Sequence, residues 1–208
     1  KRPIAVYGGL ILLDLLIGSA CLILLGIAAH FSPGIADPFF RSDQRAAETP
    51  VLLFTVLILA PIIEETAFRG LILHHLKRVL PANIAIVISA LCFGLWHRDP
   101  GMVIYTFFWG LVIGAVCNAT GKIRHTIVMH MLGNLLEMLV FSTTGKAILG
   151  KRVFLPAYRS WIMGLPVVPA ILMMLLFLVL IFVVTEAVIY LASGKETVLI
   201  RLIKTGFS

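Results

Sequence analysis

Charged residues are scarce in this sequence. They make up 13% of the 208 residues, whereas 60% of the residues are hydrophobic. A soluble globular domain carries about a quarter charged residues, so the excess of apolar side chains here must face lipid. No polar stretch is long enough to form a separate soluble domain. The composition therefore predicts an integral membrane protein with a single domain over residues 1–208.

Cysteines are also few, and they are not paired by spacing. Cys21, Cys92 and Cys117 all lie in apolar stretches without a CxxC motif, which gives no sign of a disulfide framework. The formal net charge is +7, but the basic residues occur in short clusters between apolar runs. Such placement is typical of membrane-flanking charge. We therefore expect the lipid bilayer, and not a nucleic acid, as a partner.

Six apolar segments approach the length of about 20 residues that a spanning helix needs. They cover residues 4–29, 49–79, 82–97, 102–119, 126–142 and 166–192. Prolines and glycines separate several of them, notably at Pro81, at Pro100-Gly101 and at Thr120-Gly121. The pattern predicts an all-α fold, a polytopic transmembrane helix bundle of about six spans.

The ends of the chain and its longest connection have their own patterns. The first segment is too long for the apolar region of a signal peptide and lacks a convincing cleavage site, so we interpret it as an uncleaved span. Residues 143–165 and the basic tail 195–204 are typical of stretches that lie along a membrane surface. Of the 17 basic residues, nine fall on the side of both chain ends and of the loops at Lys77 and Lys122, seven fall on the other side, and Arg69 lies within a helix. This favours cytoplasmic termini.

The sharpest polar cluster lies in the middle of the second segment. Placing an ionisable group at that depth in a bilayer costs free energy, so such a group indicates a functional role. Glu65 and Arg69 stand four residues apart with the acid first, which is the favourable order for a helical ion pair. Glu64 points about 100° away on a helix of 3.6 residues per turn. It has no partner in its own helix, so Glu64 is the carboxylate available for chemistry.

The positions of Glu64 and His97 along their helices predict that the two side chains lie close together. From Glu64 to the end of its helix, and from the start of the next helix to His97, the rise is about 22 Å in each case. An antiparallel hairpin therefore brings both residues to the same level. Phe93 lies one turn before His97 on the same face and is expected to pack against its ring.

The fifth segment adds a polar stripe. His130, Asn134 and Glu137 occupy positions i, i+4 and i+7 of an otherwise apolar helix, so they face the bundle interior. Neutral donors such as Asn134 and His130 can stabilise a developing oxyanion. Together with a water activated by Glu64 and His97, they predict a hydrolase without a covalent nucleophile. Glu137 is a weaker candidate, for an orienting role.

Other interpretations stay open at this point. The polar groups can be structural contacts between helices, as in a non-catalytic immunity or scaffold protein, or a proton relay in a small transporter. Glu64, His97 and His130 can in principle hold zinc. Zinc sites normally show closely spaced ligands such as HExxH, which this sequence lacks, so we expect no metal and no other cofactor.

Three further polar residues are interpreted without a catalytic role. His74 and His75 follow the acidic cluster near the end of its helix, beside basic residues, and are expected to be solvated at the interface. Asp14 lies within the first apolar segment. We interpret it as a polar group close enough to the helix end to reach water, with a position along the substrate path as the alternative.

Three motifs resemble those of one known superfamily. Glu64-Glu65-x-x-x-Arg69, Phe93-x-x-x-His97 and His130-x-x-x-Asn134 are similar to the motifs of the CAAX protease and bacteriocin-processing enzymes, or CPBP superfamily. This superfamily includes the type II CAAX prenyl endopeptidases. The resemblance covers about residues 51–136.

The resemblance implies an intramembrane glutamic-type endopeptidase. Glu64 and His97 would activate water, Glu65 and Arg69 would support them, and His130 and Asn134 would form the oxyanion hole. The implied substrate is a membrane-anchored or lipidated protein or peptide. The implied location is the plasma membrane of a bacterial or archaeal cell, with a zinc-dependent protease as the alternative mechanism.

Overall fold

The computed structural model describes residues 3–32, 49–141, 161, 164–194 and 197, although the side chains of residues 3–4 and 137–141 are not part of this description. The helices are α1 (Pro3–Phe31), α2 (Pro50–Leu76), α3 (Ala82–Trp96), α4 (Pro100–Thr120), α5 (Ile123–Phe141) and α6 (Val167–Ser193). Within these ranges the chain forms no strand. The predicted all-α bundle is confirmed. Most of residues 143–165 and of the tail 195–204 lies outside the described part.

Four of the helices, namely α1, α2, α4 and α6, are long and apolar enough to cross a membrane. Helix α3 is apolar but has 15 residues, or about 22 Å, which is less than the hydrocarbon thickness of about 30 Å. Helix α5 has 19 residues and carries the polar stripe. The protein is therefore an integral membrane protein in which two shorter or more polar helices, α3 and α5, pack among four long apolar ones.

The helix boundaries follow the turn residues of the sequence. Asp99 caps the start of α4, where its carboxylate accepts hydrogen bonds from the Gly101 and Met102 N–H groups, and Pro100 takes the first helical position. Gly121 ends α4 with φ +66°, the left-handed conformation that favours glycine. These two signals make the connections on either side of α4 short, so α3, α4 and α5 are neighbours.

Helix α1 lies at the centre of the bundle. Over half of its apolar window, 56%, is buried, against 6% for α6, which packs along α1 on its outer side. Helix α1 also contacts α4 and α5, while α3 pairs with α4, and α2 contacts α3 and α5. The main core joins side chains of all six helices, among them Leu13, Phe68, Phe93, Trp109, Met129 and Val188. The site described below lies in this core.

Helix α2 is not a regular α-helix. Two π-helical segments, Thr55–Leu59 and Thr66–Leu73, flank the α-helical stretch that carries the acidic pair. In the first segment the Ala60 N–H bonds to the Thr55 carbonyl oxygen, and the next residue, Pro61, has no N–H. The Val56 carbonyl oxygen accepts instead from the Asn134 side chain. Single π turns inside helices occur often at functional sites.

Candidate active site

A buried ion pair forms the base of the site. Arg69 Nη1 lies 2.9 Å from Glu65 Oε1, and both side chains are fully buried. The guanidinium also donates to the Gly110 carbonyl oxygen at 3.2 Å and lies 4.5 Å from the centre of the Phe93 ring. The ion pair predicted from the spacing of Glu65 and Arg69 is confirmed. Charge, hydrogen bond and aromatic face together hold the Arg69 side chain in one position.

The His130 ring stands between two carboxylates. Its Nδ1 lies 3.0 Å from Glu65 Oε1, and its Nε2 lies 3.6 Å from Glu64 Oε2. The first distance is a hydrogen bond and the second is a close approach. The Trp109 ring meets the His130 ring in a T-shaped contact with centroids 4.6 Å apart. The position of the imidazole is therefore set from α2 on one side and from α4 on another.

The orientation of His97 follows from its own helix. His97 Nδ1 lies 3.0 Å from the Phe93 carbonyl oxygen, which can only accept, so Nδ1 carries the hydrogen. In the neutral ring the lone pair is then on Nε2 and is available to accept a proton. The Phe93 ring meets the His97 ring edge-on at 4.9 Å, which confirms the predicted packing.

Asn134 has one donor to spare. Its Nδ2 donates to the Val56 carbonyl oxygen at 2.8 Å. A side-chain amide nitrogen has two hydrogens, so the second hydrogen remains for another acceptor. Because the Val56 carbonyl oxygen can only accept, it shows that the Nδ2 end of the Asn134 amide points toward α2. The prediction that Asn134 faces the bundle interior is confirmed.

A small polar cavity lies among these groups. Its volume is about 40 Å³, and its walls include His97, His130, Asn134, Trp109 and Asp14. A polar cavity needs about 10–15 Å³ to hold one water molecule. The cavity therefore has room for water beside two imidazoles, an amide and a carboxylate.

The predicted meeting of Glu64 and His97 is only partly seen. Arg69 lies over the Phe93 ring. Glu65 is one turn before Arg69 on α2 and His97 is one turn after Phe93 on α3, which for antiparallel helices agrees with the predicted depth of the acidic pair. Within the described residues, however, the close contact of Glu64 is with His130, and Glu64 is not one of the cavity-lining residues. A water shared by Glu64 and His97 stays a prediction.

Asp14 is not near a helix end, and our interpretation of it was wrong. It stands about 16 Å along α1 at helical rise, and its side chain is 6% exposed. Its Oδ1 accepts a hydrogen bond of 2.9 Å from Trp109 Nε1. A Cβ atom at Gly133 would lie 2.6 Å from this oxygen, so only glycine allows the contact. The signal in the sequence was an acid in the middle of a long apolar run.

Ser89 and Glu137 are two further polar residues of α3 and α5. Ser89 donates to the Phe68 carbonyl oxygen at 2.8 Å, a contact between α2 and α3. Glu137 belongs to α5, but its side chain lies outside the described part. Among the side chains that are described, no three His, Cys, Asp or Glu groups converge closely enough to hold a metal ion.

Comparison with known proteins assigns the central part of the chain. Residues 46–136 match the family model of the type II CAAX prenyl endopeptidase Rce1-like proteins. The matched residues make up under half of the chain, and over them the chain is similar to this family. The resemblance seen in the three motifs is thereby confirmed. The matching segment contains the seven residues of those motifs, whereas Asp14 lies outside it.

One curated protein to which the chain is similar is the membrane-embedded CAAX protease MroQ of Staphylococcus aureus (strain USA300). It is 30% identical over 95 residues, which cover 43% of this chain and 38% of that relative. The match therefore spans well under half the length of either protein. No solved structure matches the chain.

Proposed function

We propose that this CAAX-protease-like protein is an intramembrane endopeptidase. It hydrolyses a peptide bond of a membrane-anchored or lipidated protein or peptide. The observation that carries the proposal is the water-sized cavity between His97, His130 and Asn134, within the segment that matches the family. Placing polar and ionisable groups inside a membrane costs free energy, so a cluster of them indicates a functional site.

In the proposed reaction His97 and Glu64 activate the water. One O–H bond of the water breaks, its proton passes to His97 Nε2, and its oxygen bonds to the carbonyl carbon of the substrate. The lone pair of Nε2 is available because Nδ1 donates to the Phe93 carbonyl oxygen. Glu64 supplies negative charge beside the His130 ring, 3.6 Å away, as the proton moves. General acid–base catalysis of this kind contributes about 10²–10⁴-fold.

The carbonyl oxygen of the substrate becomes negative in this step. Asn134 offers its second N–H as one donor of the oxyanion hole. His130 offers an Nε2–H as the other, since its 3.6 Å approach to Glu64 is not a hydrogen bond. This role needs a hydrogen on both ring nitrogens, because His130 Nδ1 donates to Glu65. Glu65 and Arg69 support His130, because the Glu65 carboxylate accepts from its Nδ1 while Arg69 balances that carboxylate. Donors held in place before the reaction stabilise the transition state without any cost of reorganisation.

The proposed reaction needs no metal. Nδ1 of each ring is engaged, in His97 with the Phe93 carbonyl oxygen and in His130 with Glu65, so Nε2 is the nitrogen that a metal would use. A zinc ligand needs a free ring nitrogen aimed at a shared point with two or more other ligands. The donors of the described residues do not provide that arrangement.

Turnover of membrane peptides tests the proposal. The purified chain in detergent is incubated with a panel of transmembrane and lipidated peptides, and products are detected by mass spectrometry. We expect Glu64→Gln and His97→Ala to lose about 10²-fold or more in rate. His75→Ala is the matched control, because His75 makes the same contact to a carbonyl four residues earlier but is exposed. Equal rates in all four proteins would overturn the proposed roles.

Two further results separate the alternatives. A strong chelator should leave the rate unchanged, whereas a zinc-dependent protease would lose activity as the metal is removed. A wild-type chain that cleaves no peptide of the panel, but binds some of them, would favour the non-catalytic scaffold.

We also propose that both termini are cytoplasmic, in the plasma membrane of a bacterial or archaeal cell. Basic residues of the short loops support this orientation. Tags at each end should resist protease added outside intact cells. Cleavage of both tags would reverse the orientation.

A further inference from the structure

Asp14 brings a carboxylate to the cavity from outside the matched segment. It belongs to α1, and it lines the same cavity as His97, His130 and Asn134. The glycine at position 133, between His130 and Asn134 on α5, lets the Asp14 carboxylate approach the backbone of that helix. The side chain therefore reaches the centre of the proposed site.

A structural role does not require an acid at this position. The hydrogen bond described for Asp14 comes from a neutral indole N–H. An asparagine oxygen would accept the same bond without the cost of burying an ionisable group. Burying the carboxyl group of Asp14 therefore costs more free energy than burying an amide that makes the same hydrogen bond to Trp109. Such a buried ionisable group inside a membrane protein indicates a chemical role.

Hydrolysis of an amide leaves one task unassigned in the reaction above. The leaving nitrogen needs a proton when the C–N bond breaks. Imidazole and carboxyl groups are the usual proton-transfer groups of enzymes, and those on the cavity wall are His97, His130 and Asp14. His130 already has the oxyanion as its task in this reaction. Asp14 is the carboxyl group of the wall that has no task there, while a protonated His97 and the Tyr105 hydroxyl are the alternative donors, which the test below distinguishes from Asp14.

We infer that Asp14 is a further catalytic residue, the general acid that protonates the leaving nitrogen. The inference rests on the proposed endopeptidase function. When the C–N bond breaks, the nitrogen takes the proton of the Asp14 carboxyl group and the carbonyl is restored as the new carboxyl group. His97 then returns its proton to Asp14 through water in the cavity. Each proton lost in one step is regained in the next.

A change of leaving group tests this role. The probes are a peptide of the panel that the wild-type chain cleaves and its ester analogue with a phenol leaving group, which departs without protonation. We expect Asp14→Asn to lower kcat for the amide by about 10²-fold and to leave the ester within a few-fold of wild type. His97→Ala should lose both activities, because water activation is common to both substrates.

Controls separate chemistry from folding. Asn at position 14 can still accept the indole N–H, so thermal unfolding in detergent should stay close to wild type. Ser19→Ala removes a polar group from the same helix, where the hydroxyl only bonds to the Leu15 carbonyl oxygen, and should leave both rates unchanged.

The outcomes are distinct. Normal amide cleavage by Asp14→Asn, with Glu64→Gln and His97→Ala inactive, overturns the role of Asp14 and keeps the proposed function. Equal losses for amide and ester in Asp14→Asn also overturn it, because a merely structural role predicts them. A wild-type chain without any turnover removes the proposed function and this inference together.

Discussion

Gly133 is the position where one added methyl group tests the geometry of the site most directly. A Cβ atom there would lie 2.6 Å from Asp14 Oδ1 and 3.4 Å from Trp109 Cζ2. Ordinary contact begins near 3.4 Å, so Gly133→Ala must move the carboxylate by 3.4 − 2.6, or about 0.8 Å. A misplacement of about 1 Å in an active site can cost about 10²-fold in rate. We therefore expect turnover to fall by about 10- to 100-fold.

The effect of Gly133→Ala on stability is expected to be smaller. Alanine in a helix interior is favoured over glycine by about 1 kcal/mol, while overpacking a core costs about 1–3 kcal/mol. The free energy of unfolding should therefore fall by about 0–2 kcal/mol. The measurements are peptide turnover and thermal unfolding of the same detergent-purified protein.

Gly18→Ala is the matched control, since no atom lies within 4 Å of the Cβ that it would add on α1. It should be slightly stabilising and fully active. The double variant Gly133→Ala with Asp14→Ala should recover stability but not activity, because the clash is gone and so is the carboxylate. Wild-type turnover in Gly133→Ala would refute the reasoning, since the site would then tolerate a displaced Asp14.

Three further changes have defined outcomes. Arg69→Ala leaves the Glu65 carboxylate buried and unpaired and should cost about 3–5 kcal/mol in thermal unfolding; a loss below 1 kcal/mol would contradict a buried pair. Phe93→Ala removes the ring that packs on three site residues and should cost about 3–5 kcal/mol; unchanged unfolding would show that the ring is dispensable. Asn134→Leu should lower kcat about 10²–10³-fold with a smaller change in KM, and equal changes in both would argue against the oxyanion role.

The helices and the polar stripe were predictable because local spacing decides them. Glu65 and Arg69 pair within one helix, Phe93 and His97 meet within another, and the boundary residues Pro81 and Gly121 act on their own neighbours. Hydropathy and the i, i+4 rule carry this information without any knowledge of the tertiary fold.

Contacts between distant segments were not predictable in the same way. Glu64 approaches His130, and Asp14 meets Gly133 and Trp109, because α1, α4 and α5 pack together around one cavity. Nothing in the spacing of α1 relates it to α5. The π-helical segments of α2 were also missed, because their sequence is apolar and continuous, although Pro61 removes one of the N–H groups that a regular helix would use.

The π-helical segment Thr55–Leu59 makes the length of α2 critical. Each residue of a regular helix turns the chain by about 100°, and a π turn accommodates one residue more than an α turn. A single-residue deletion in this segment would restore regular winding and rotate the preceding stretch away from α5. The Val56 carbonyl oxygen would then no longer receive the amide of Asn134, while the acidic pair kept its place. A protein with this fold that is one residue shorter here should therefore lack the contact between α2 and the Asn134 side chain of α5.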